Sequence, residues 1–550
     1  MKKAIALLIS LSLLFTIAGC GGSQPAPPAQ QPDPPALIDH TQTNNQSSPG
    51  TTTPTPEPPP VQSGPKYGGV VKMITTADTS YPFGLSWNSA LNFATQVIVP
   101  FGECLVLETT GGDIYPWLAT EWEIDVENAE VRLKLRDDVY FSDGSKFNAD
   151  VVEWNFIMSK EAKALNPAID RVEKRGEYEV AAVMTGGNFA NNVLNLLASH
   201  SFAIVSKESY DKYGVDYAGE HPVGTGPFVM TEKNPGVSVK FTKNGNYWQP
   251  EKPYLDGFEF YAITDQMTQN AAMLSTGSDR VDVLNNAGSA AEQMSLLDKD
   301  PDLTVWAFPS GVTSIFPSSK TEESPFSKLE VRQAVSYAIN REDFAEAKGF
   351  GYLQPATQFI PDGYYGHFKD GRNLFEFNPD KAKELLAEAG YPDGFTTNWY
   401  AVNTMSPDMS VALTDMLSAV GIKCNMELPE VGRITELRST GWEGLIYQPF
   451  TSLAALPSTF RLSLDIAGVY NVSTWRPPGY ELDFAALLKT PTFDQGIAEK
   501  MHHWFSDYML IVPVIESVNS YVVRNSIKDA EYGFWAVGTQ WLPSNMWLDN

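Results

Sequence analysis

Asn378-Pro379-Asp380-Lys381-Ala382-Lys383-Glu384-Leu385-Leu386-Ala387-Glu388-Ala389-Gly390-Tyr391-Pro392 is the stretch on which the reading of the fold turns. It reads as one helix. The Asn378 side chain can cap the first turn, Pro379 has the φ that turn needs, and Gly390 with Pro392 ends it. Ala382, Leu385, Leu386 and Ala389 recur at helical spacing and form a single apolar face, which marks a helix laid on a sheet. Upstream, Val131, Leu133 and Leu135 alternate with Arg132, Lys134 and Arg136, the pattern of a strand with one wet face, and a turn follows at Asp143-Gly144. A first strand is expected in Tyr67-Gly68-Gly69-Val70-Val71-Lys72-Met73-Ile74, after a glycine turn. A second helix is expected over residues 327–344, with Leu329, Ala334, Val335, Ala338 and Ile339 inward. Arg332 and Arg341, near its flanks, are expected to pair with helix-end carbonyls or carboxylates more than with a solute. Strands and helices mixed along the whole chain give the α/β class.

The 550 residues, 43% hydrophobic and 12% aromatic, suffice for at least two lobes with cores. A net charge of −27 argues against nucleic acid, because each phosphate contact would be made against a repulsive field. Ahead of this body, Lys2 and Lys3 precede an apolar run from Ala4 to Ile17, too short to span a bilayer, and small Ala18 and Gly19 lead into Cys20. This reads as a secretion signal over residues 1–19. Residues 20–65 are rich in Pro, Gln, Thr, Ser and Gly, cannot build a core, and read as a tether. Of the three cysteines, Cys104 and Cys424 sit in apolar segments and read as buried thiols; an exported location permits a disulfide between them, but sequence does not establish one.

The close of the leader, Leu14-Phe15-Thr16-Ile17-Ala18-Gly19-Cys20, resembles the lipobox of bacterial lipoproteins. That resemblance implies a lipid on Cys20 and a protein anchored on the extracytoplasmic face of the cell membrane. Further segments occur in order: Trp117-Leu118-Ala119-Thr120-Glu121-Trp122, Leu133 through Gly144, Pro222-Val223-Gly224-Thr225-Gly226-Pro227-Phe228, and Asn244-Gly245-Asn246-Tyr247-Trp248 with Lys252-Pro253-Tyr254-Leu255-Asp256. Val331-Arg332-Gln333-Ala334-Val335-Ser336-Tyr337-Ala338-Ile339-Asn340-Arg341 and the helix quoted above complete the set. Together they resemble the family 5 extracellular solute-binding proteins of ABC transporters, the group of oligopeptide-, dipeptide- and nickel-binding proteins.

The resemblance implies a two-lobe, periplasmic-binding-protein-like α/β fold of type II, with strands crossing twice between lobes and a hinge there. Lobe one would take residues 66–318, with an extra subdomain over about 100–215; lobe two would take 319–510, and 511–550 would return to lobe one. It also implies a monomer that hands a solute to the permease subunits of an ABC importer and needs no catalytic residue or cofactor. A ligand-sensing receptor without transport and an exported hydrolase stand as the alternatives. Against the hydrolase, no Gly-x-Ser-x-Gly occurs; against a metal site, the six histidines form no ligand pattern, and adjacent His502 and His503 would point to different faces of a helix.

In peptide-binding members of that family, a lobe-two loop carries an Asp that pairs with the peptide's free amino group. The matching region here runs from Thr440 through Trp442 and Tyr447 to Pro457, and no Asp or Glu lies between Gly444 and Arg461. A buried ammonium without a partner costs several kcal/mol, so binding an amino terminus in that manner should fail unless another acid substitutes. The region instead offers Trp442, Tyr447, Gln448, Phe450, Thr451 and Ser452, suited to stacking on a ring and hydrogen-bonding neutral groups, with Arg461 and Trp475 near enough in sequence to serve an anion. Tyr81 and Trp87, after the first strand, and Trp399, after the helix of residues 375–394, are further candidates, because loops after strands in α/β lobes tend to face a cleft. The expected ligand is therefore peptide-like by family, with an oligosaccharide or an anionic solute as the alternatives. Gly224, Gly226 and Pro227 read as a tight turn, and Tyr247 and Trp248 as packing residues. The loop from Ser310 to Ser319 resembles the first interlobe crossing, with Ser318-Ser319 where the family often has Asn.

Overall fold

The computed structural model describes residues 64–549 apart from 76–78, 89–94, 190–191, 288–290, 363, 365, 368–375, 404, 452–470 and 536–540. The leader, Cys20 and all but the last two residues of the tether lie outside the described residues. Among the described residues, no helix is long and apolar enough to cross a membrane.

The main sheet is built from β1 (Val70–Thr75), β2 (Phe228–Asn234), β3 (Ser238–Lys243), β4 (Gly257–Ala262), β5 (Val283–Ala287), β6 (Leu303–Pro317), β7 (Phe395–Ala401), β8 (Ile422–Glu427), β9 (Leu445–Thr451) and β10 (Val512–Arg524). Their order across the sheet is β8-β7-β9-β6-β10-β5-β1-β4-β3-β2, and a short strand, Gln354–Pro355, adds to the edge of β10. Two half-sheets of mixed strands thus meet at β6 and β10, two long antiparallel strands. Each serves one half with one end and the other half with the other: β6 pairs with β9 only from Gly311 to Pro317, and β10 with β5 only from Asn519 to Val523. The pairing of β6 with β10 slips between Pro309 and Gly311 and again between Thr313 and Ser314. This is the expected double crossing. One large core packs the half containing β7 to β9, and a separate core lies under β1, β3 and β4.

The helix of the opening stretch runs Pro379–Glu388, with Asn378 Oδ1 accepting the Lys381 N–H at 2.9 Å and Ala382, Leu385 and Leu386 buried. The expected single helix over 327–344 is instead two, Leu329–Tyr337 and Arg341–Gly349, because Asn340 accepts the Asp343 N–H and starts a new helix. Arg332 and Arg341 are buried. Arg332 donates to the carbonyls of Phe326, Ser327, Tyr508 and Met509, and Arg341 to those of Pro513, Ser336 and Ile339 and to Ser336 Oγ. Each guanidinium ties a helix end to the chain entering β10.

The expected strand at 129–136 forms as Glu130–Leu135, with Val131, Leu133 and Leu135 buried. It lies in a separate four-stranded antiparallel sheet with Ala119–Asp125, Glu179–Met184 and Ile169–Gly176, which has its own core. Beside this sheet, motifs far apart in sequence converge on one buried carboxylate. Glu103 accepts from Trp117 Nε1 at 3.0 Å, Tyr247 OH at 2.8 Å, Thr225 Oγ1 at 2.8 Å and Trp248 Nε1 at 2.9 Å. Gly224 and Gly226 flank Thr225 because the Phe101 backbone passes there; a Cβ at Gly224 would lie 2.0 Å from the Phe101 carbonyl oxygen. Burial pushes the Glu103 carboxyl up to about 7, against the pull of its four donors. An adjoining cavity of about 20 Å³, lined in part by Glu103, Cys104, His200 and Tyr247, has room for one water and no solute. Glu103 is therefore a structural node. Cys104 and Cys424 are both free, Cys104 buried and Cys424 half-buried, and burial pushes the Cys424 thiol up to about 12.

Candidate ligand cleft at the crossing strands

Strand direction locates the site. β1, β4 and β5 are mutually parallel, and β5 runs along β10 until Ala287 stands opposite Asn519. From the other half, β7 and β9 are parallel, and β9 runs along β6 until Thr451 stands opposite Gly311. The carboxyl ends of the parallel strands of both halves therefore point at the middle of β6 and β10. In open α/β sheets ligands bind outside such ends.

The chain is polar where these ends converge. Asn285, Ser310, Thr313, Ser314, Gln448 and Ser520 are buried there, and the hydroxyls of Thr313 and Ser517 share a hydrogen bond of 2.7 Å between the two crossing strands. Ser314 Oγ and Gln448 Nε2 are buried there without a hydrogen-bond partner among the described residues, as is Tyr447 OH one residue earlier on β9. Buried donors are rarely left unpaired in a folded chain, and a group of them in one region calls for an explanation. Ser314 and Gln448 are register partners, so their side chains share one face of the sheet. Glu516 lies on the same face, opposite Val312 on β6, with Gln354 on its other side. Its Oε1 accepts the Asp362 N–H at 3.1 Å, and burial raises its carboxyl against the opposing pull of that bond and of nearby His367.

Comparison with known sequences agrees with this geometry. The sequence model of the bacterial extracellular solute-binding proteins, family 5, middle part, matches residues 113–449. The chain belongs to this family. The glutathione-binding protein GsiB of Salmonella typhi is 31% identical over 396 residues, which cover 68% of this chain and 74% of that protein. A periplasmic binding protein, DppA from Helicobacter pylori in complex with the peptide STSA, superposes with a TM-score of 0.71 at 21% identity, over 88% of this chain and 99% of that one. NikA from Brucella suis in complex with Fe(III)-EDTA gives 0.74 at 18% identity, over 88% and 100%. At these identities the two structures speak for the fold.

Within this family 5 protein the sequence candidates scatter. Tyr447 and Trp399 come together, with rings 5.5 Å apart, but both are fully buried in the core of their half, and Trp399 stands opposite Leu445 at the amino end of β9, away from the convergence. Phe450 holds the register position opposite Val312, on the row that carries Glu516. Trp442 is buried at the amino end of β9, and the seven residues of that strand put it about 20 Å from the convergence. Trp475 lies at the same far end, its N–H donating to Ser319 Oγ and its ring packed against Tyr508 and over the Arg332 guanidinium. Trp87 is buried against Trp154 and Tyr210 in a small cluster of its own, and Tyr81 is exposed, its carbonyl accepting from Lys233 Nζ. For Trp442, Trp475 and Trp87 packing explains the aromatic. Ser452 and Arg461 fall outside the described residues. The serines of the first crossing take polar work at its far end: Ser318 Oγ accepts the Gly444 N–H and Ser319 Oγ the Trp475 N–H. Sequence reading missed Glu516, Ser517, Asn519 and Asn285. The available signal was the polar interruption Glu516-Ser517-x-Asn519-Ser520 inside an otherwise apolar strand.

Proposed function

We propose that this chain is the solute-binding lipoprotein of an ABC importer, tethered outside the cell membrane by a lipid on Cys20 and delivering a small, peptide-like solute to the permease subunits as a monomer. Residues 66–318 and 511–550 would form one lobe and residues 319–510 the other, with the solute held between them. The observation that carries this reading is the convergence of parallel-strand carboxyl ends from both half-sheets on a buried polar belt in the two crossing strands. A peptide-like solute is supported by the relative named for glutathione and the neighbour solved with a peptide.

The test is thermal unfolding of the purified protein against short peptides including glutathione, neutral oligosaccharides, carboxylates and metal chelates, with mass analysis of each hit. A solute bound only by the folded state adds about 2.7 kcal/mol at one hundred times its dissociation constant. The expected result is a saturable upward shift with a peptide and no change in that peptide's mass. A hit that is converted would refute the carrier reading, and a saccharide or carboxylate as the only hit would refute the peptide assignment.

A further inference from the structure

The polar belt is selective in charge. At positions 285–287 on β5, 309–314 on β6, 448–451 on β9 and 513–520 on β10, the single ionisable residue is Glu516. Its half-buried carboxylate has one oxygen engaged by the Asp362 N–H, and the other takes no hydrogen bond from any described residue. On the same face and one step along the strands, Ser314 Oγ on the adjacent strand, about 7 Å away by strand spacing, and Gln448 Nε2 one strand further, about 12 Å away, are buried and unpartnered. A desolvated carboxylate with a free oxygen favours a cation that donates hydrogen bonds, and an adjoining amide N–H and hydroxyl favour an acceptor oxygen. An anion would meet a like charge in a low-dielectric setting.

We propose that Glu516 is the counter-charge for a primary ammonium on the bound solute, while Gln448 Nε2 and Ser314 Oγ donate to the carbonyl that follows it. This rests on the carrier reading and narrows it to solutes with a free amino group next to a carbonyl, such as the amino end of a short peptide. The acid absent between Gly444 and Arg461 is then supplied from the second crossing strand. The ammonium is held at the junction of the two half-sheets and not in a loop of one of them.

The purified full-length protein is mixed with equimolar tripeptides, each in free and N-acetylated form, and the retained masses are read by native mass spectrometry. Parallel arms contain neutral oligosaccharides and dicarboxylates. The wild type should retain free-amine peptides and exclude the acetylated forms. Glu516→Gln, which keeps the oxygen that accepts the Asp362 N–H, should weaken retention on the order of 10- to 100-fold with an unchanged melting temperature. Glu516→Asp, which keeps the charge, should lose less. Equal retention of acetylated peptides, or undiminished retention by Glu516→Gln, overturns the assignment of Glu516 and leaves the carrier reading standing. Retention of no peptide by the wild type also overturns it, and the saccharide and dicarboxylate arms then decide whether the protein is a carrier of another solute class.

Discussion

Removing the Glu103 carboxylate should cost more than any single surface change, and the cost should carry a pH signature. The four donors at Glu103 differ in kind. The hydroxyls of Thr225 and Tyr247 can turn toward another acceptor, while the indole N–H groups of Trp117 and Trp248 are fixed by their rings. An unsatisfied buried donor costs about 1–3 kcal/mol, so Glu103→Ala, which orphans two fixed donors and leaves a small void, should destabilise by about 3–5 kcal/mol. Glu103→Gln is the sharper probe, because its amide nitrogen faces at least one donor while its charge is gone. The folded carboxyl is raised from 4.5 to about 7 by burial. A raised acid binds its proton more tightly folded than unfolded. Its stabilising contribution is therefore full below pH 4.5 and is lost as pH climbs to about 7, a fall of about 3 kcal/mol at about 1.4 kcal/mol per unit. The Gln variant lacks this fall. Urea unfolding followed by tryptophan fluorescence should show the stability gap between wild type and Glu103→Gln narrowing from pH 4.5 to 7 and then holding constant. Glu108, also raised by burial, to about 8, contributes equally to both proteins and cancels in the difference. A gap independent of pH, or a cost for Glu103→Ala below about 1 kcal/mol, would show that water satisfies these donors and that the convergence of motifs is incidental.

Arg332→Met should lose about 2–4 kcal/mol, because the carbonyls of Phe326, Ser327, Tyr508 and Met509 lose their shared donor; a shift in denaturation midpoint checks it, and Arg332→Lys should not rescue fully because an ammonium cannot fork. Gly444→Ala should cost about 3 kcal/mol or more, since Gly444 has φ +102° and a Cβ there would sit 2.2 Å from the Asn398 carbonyl oxygen; soluble expression and melting temperature report it. Tyr447→Phe should leave the ligand-free protein as stable or raise its stability by up to about 1 kcal/mol, because it deletes a buried hydroxyl with no partner among the described residues. A loss above about 1 kcal/mol by calorimetry would mean that the hydroxyl has a partner in the empty protein.

What was legible from sequence is what the chain encodes locally. The helix Pro379–Glu388 carries its cap, its first-turn proline and its stop residues within one short stretch, and each acts on its nearest neighbours. The break between Leu329–Tyr337 and Arg341–Gly349 had a local sign as well, Asn340 placed three residues before Asp343, but the apolar stripe runs on through it and hides the cap. Aromatics in buried strands are ambiguous by nature. Trp399 fills a core and Phe450 holds a register position near the cleft, and the two follow similar sequence patterns. Glu103 was invisible because its partners lie 14, 122, 144 and 145 residues away. Glu516 was invisible for a related reason: its meaning depends on which rows of β6, β9 and β10 stand side by side, and register is a property of the assembled sheet.

The same rows bear on how binding and shape are coupled. Both register slips in the β6–β10 ladder, at Pro309/Gly311 and at Thr313/Ser314, bracket the row that pairs Val312 with Glu516. A slipped register leaves ladder groups unpaired and bends the strand, so a change in the mutual angle of the two half-sheets can be taken up at these two steps. A solute held by Glu516, Ser314 and Gln448 therefore touches the bend itself. Its contacts differ between one angle and another by the distance through which these rows move, and a difference of that kind is what a ligand needs in order to favour one arrangement of the two halves over the other.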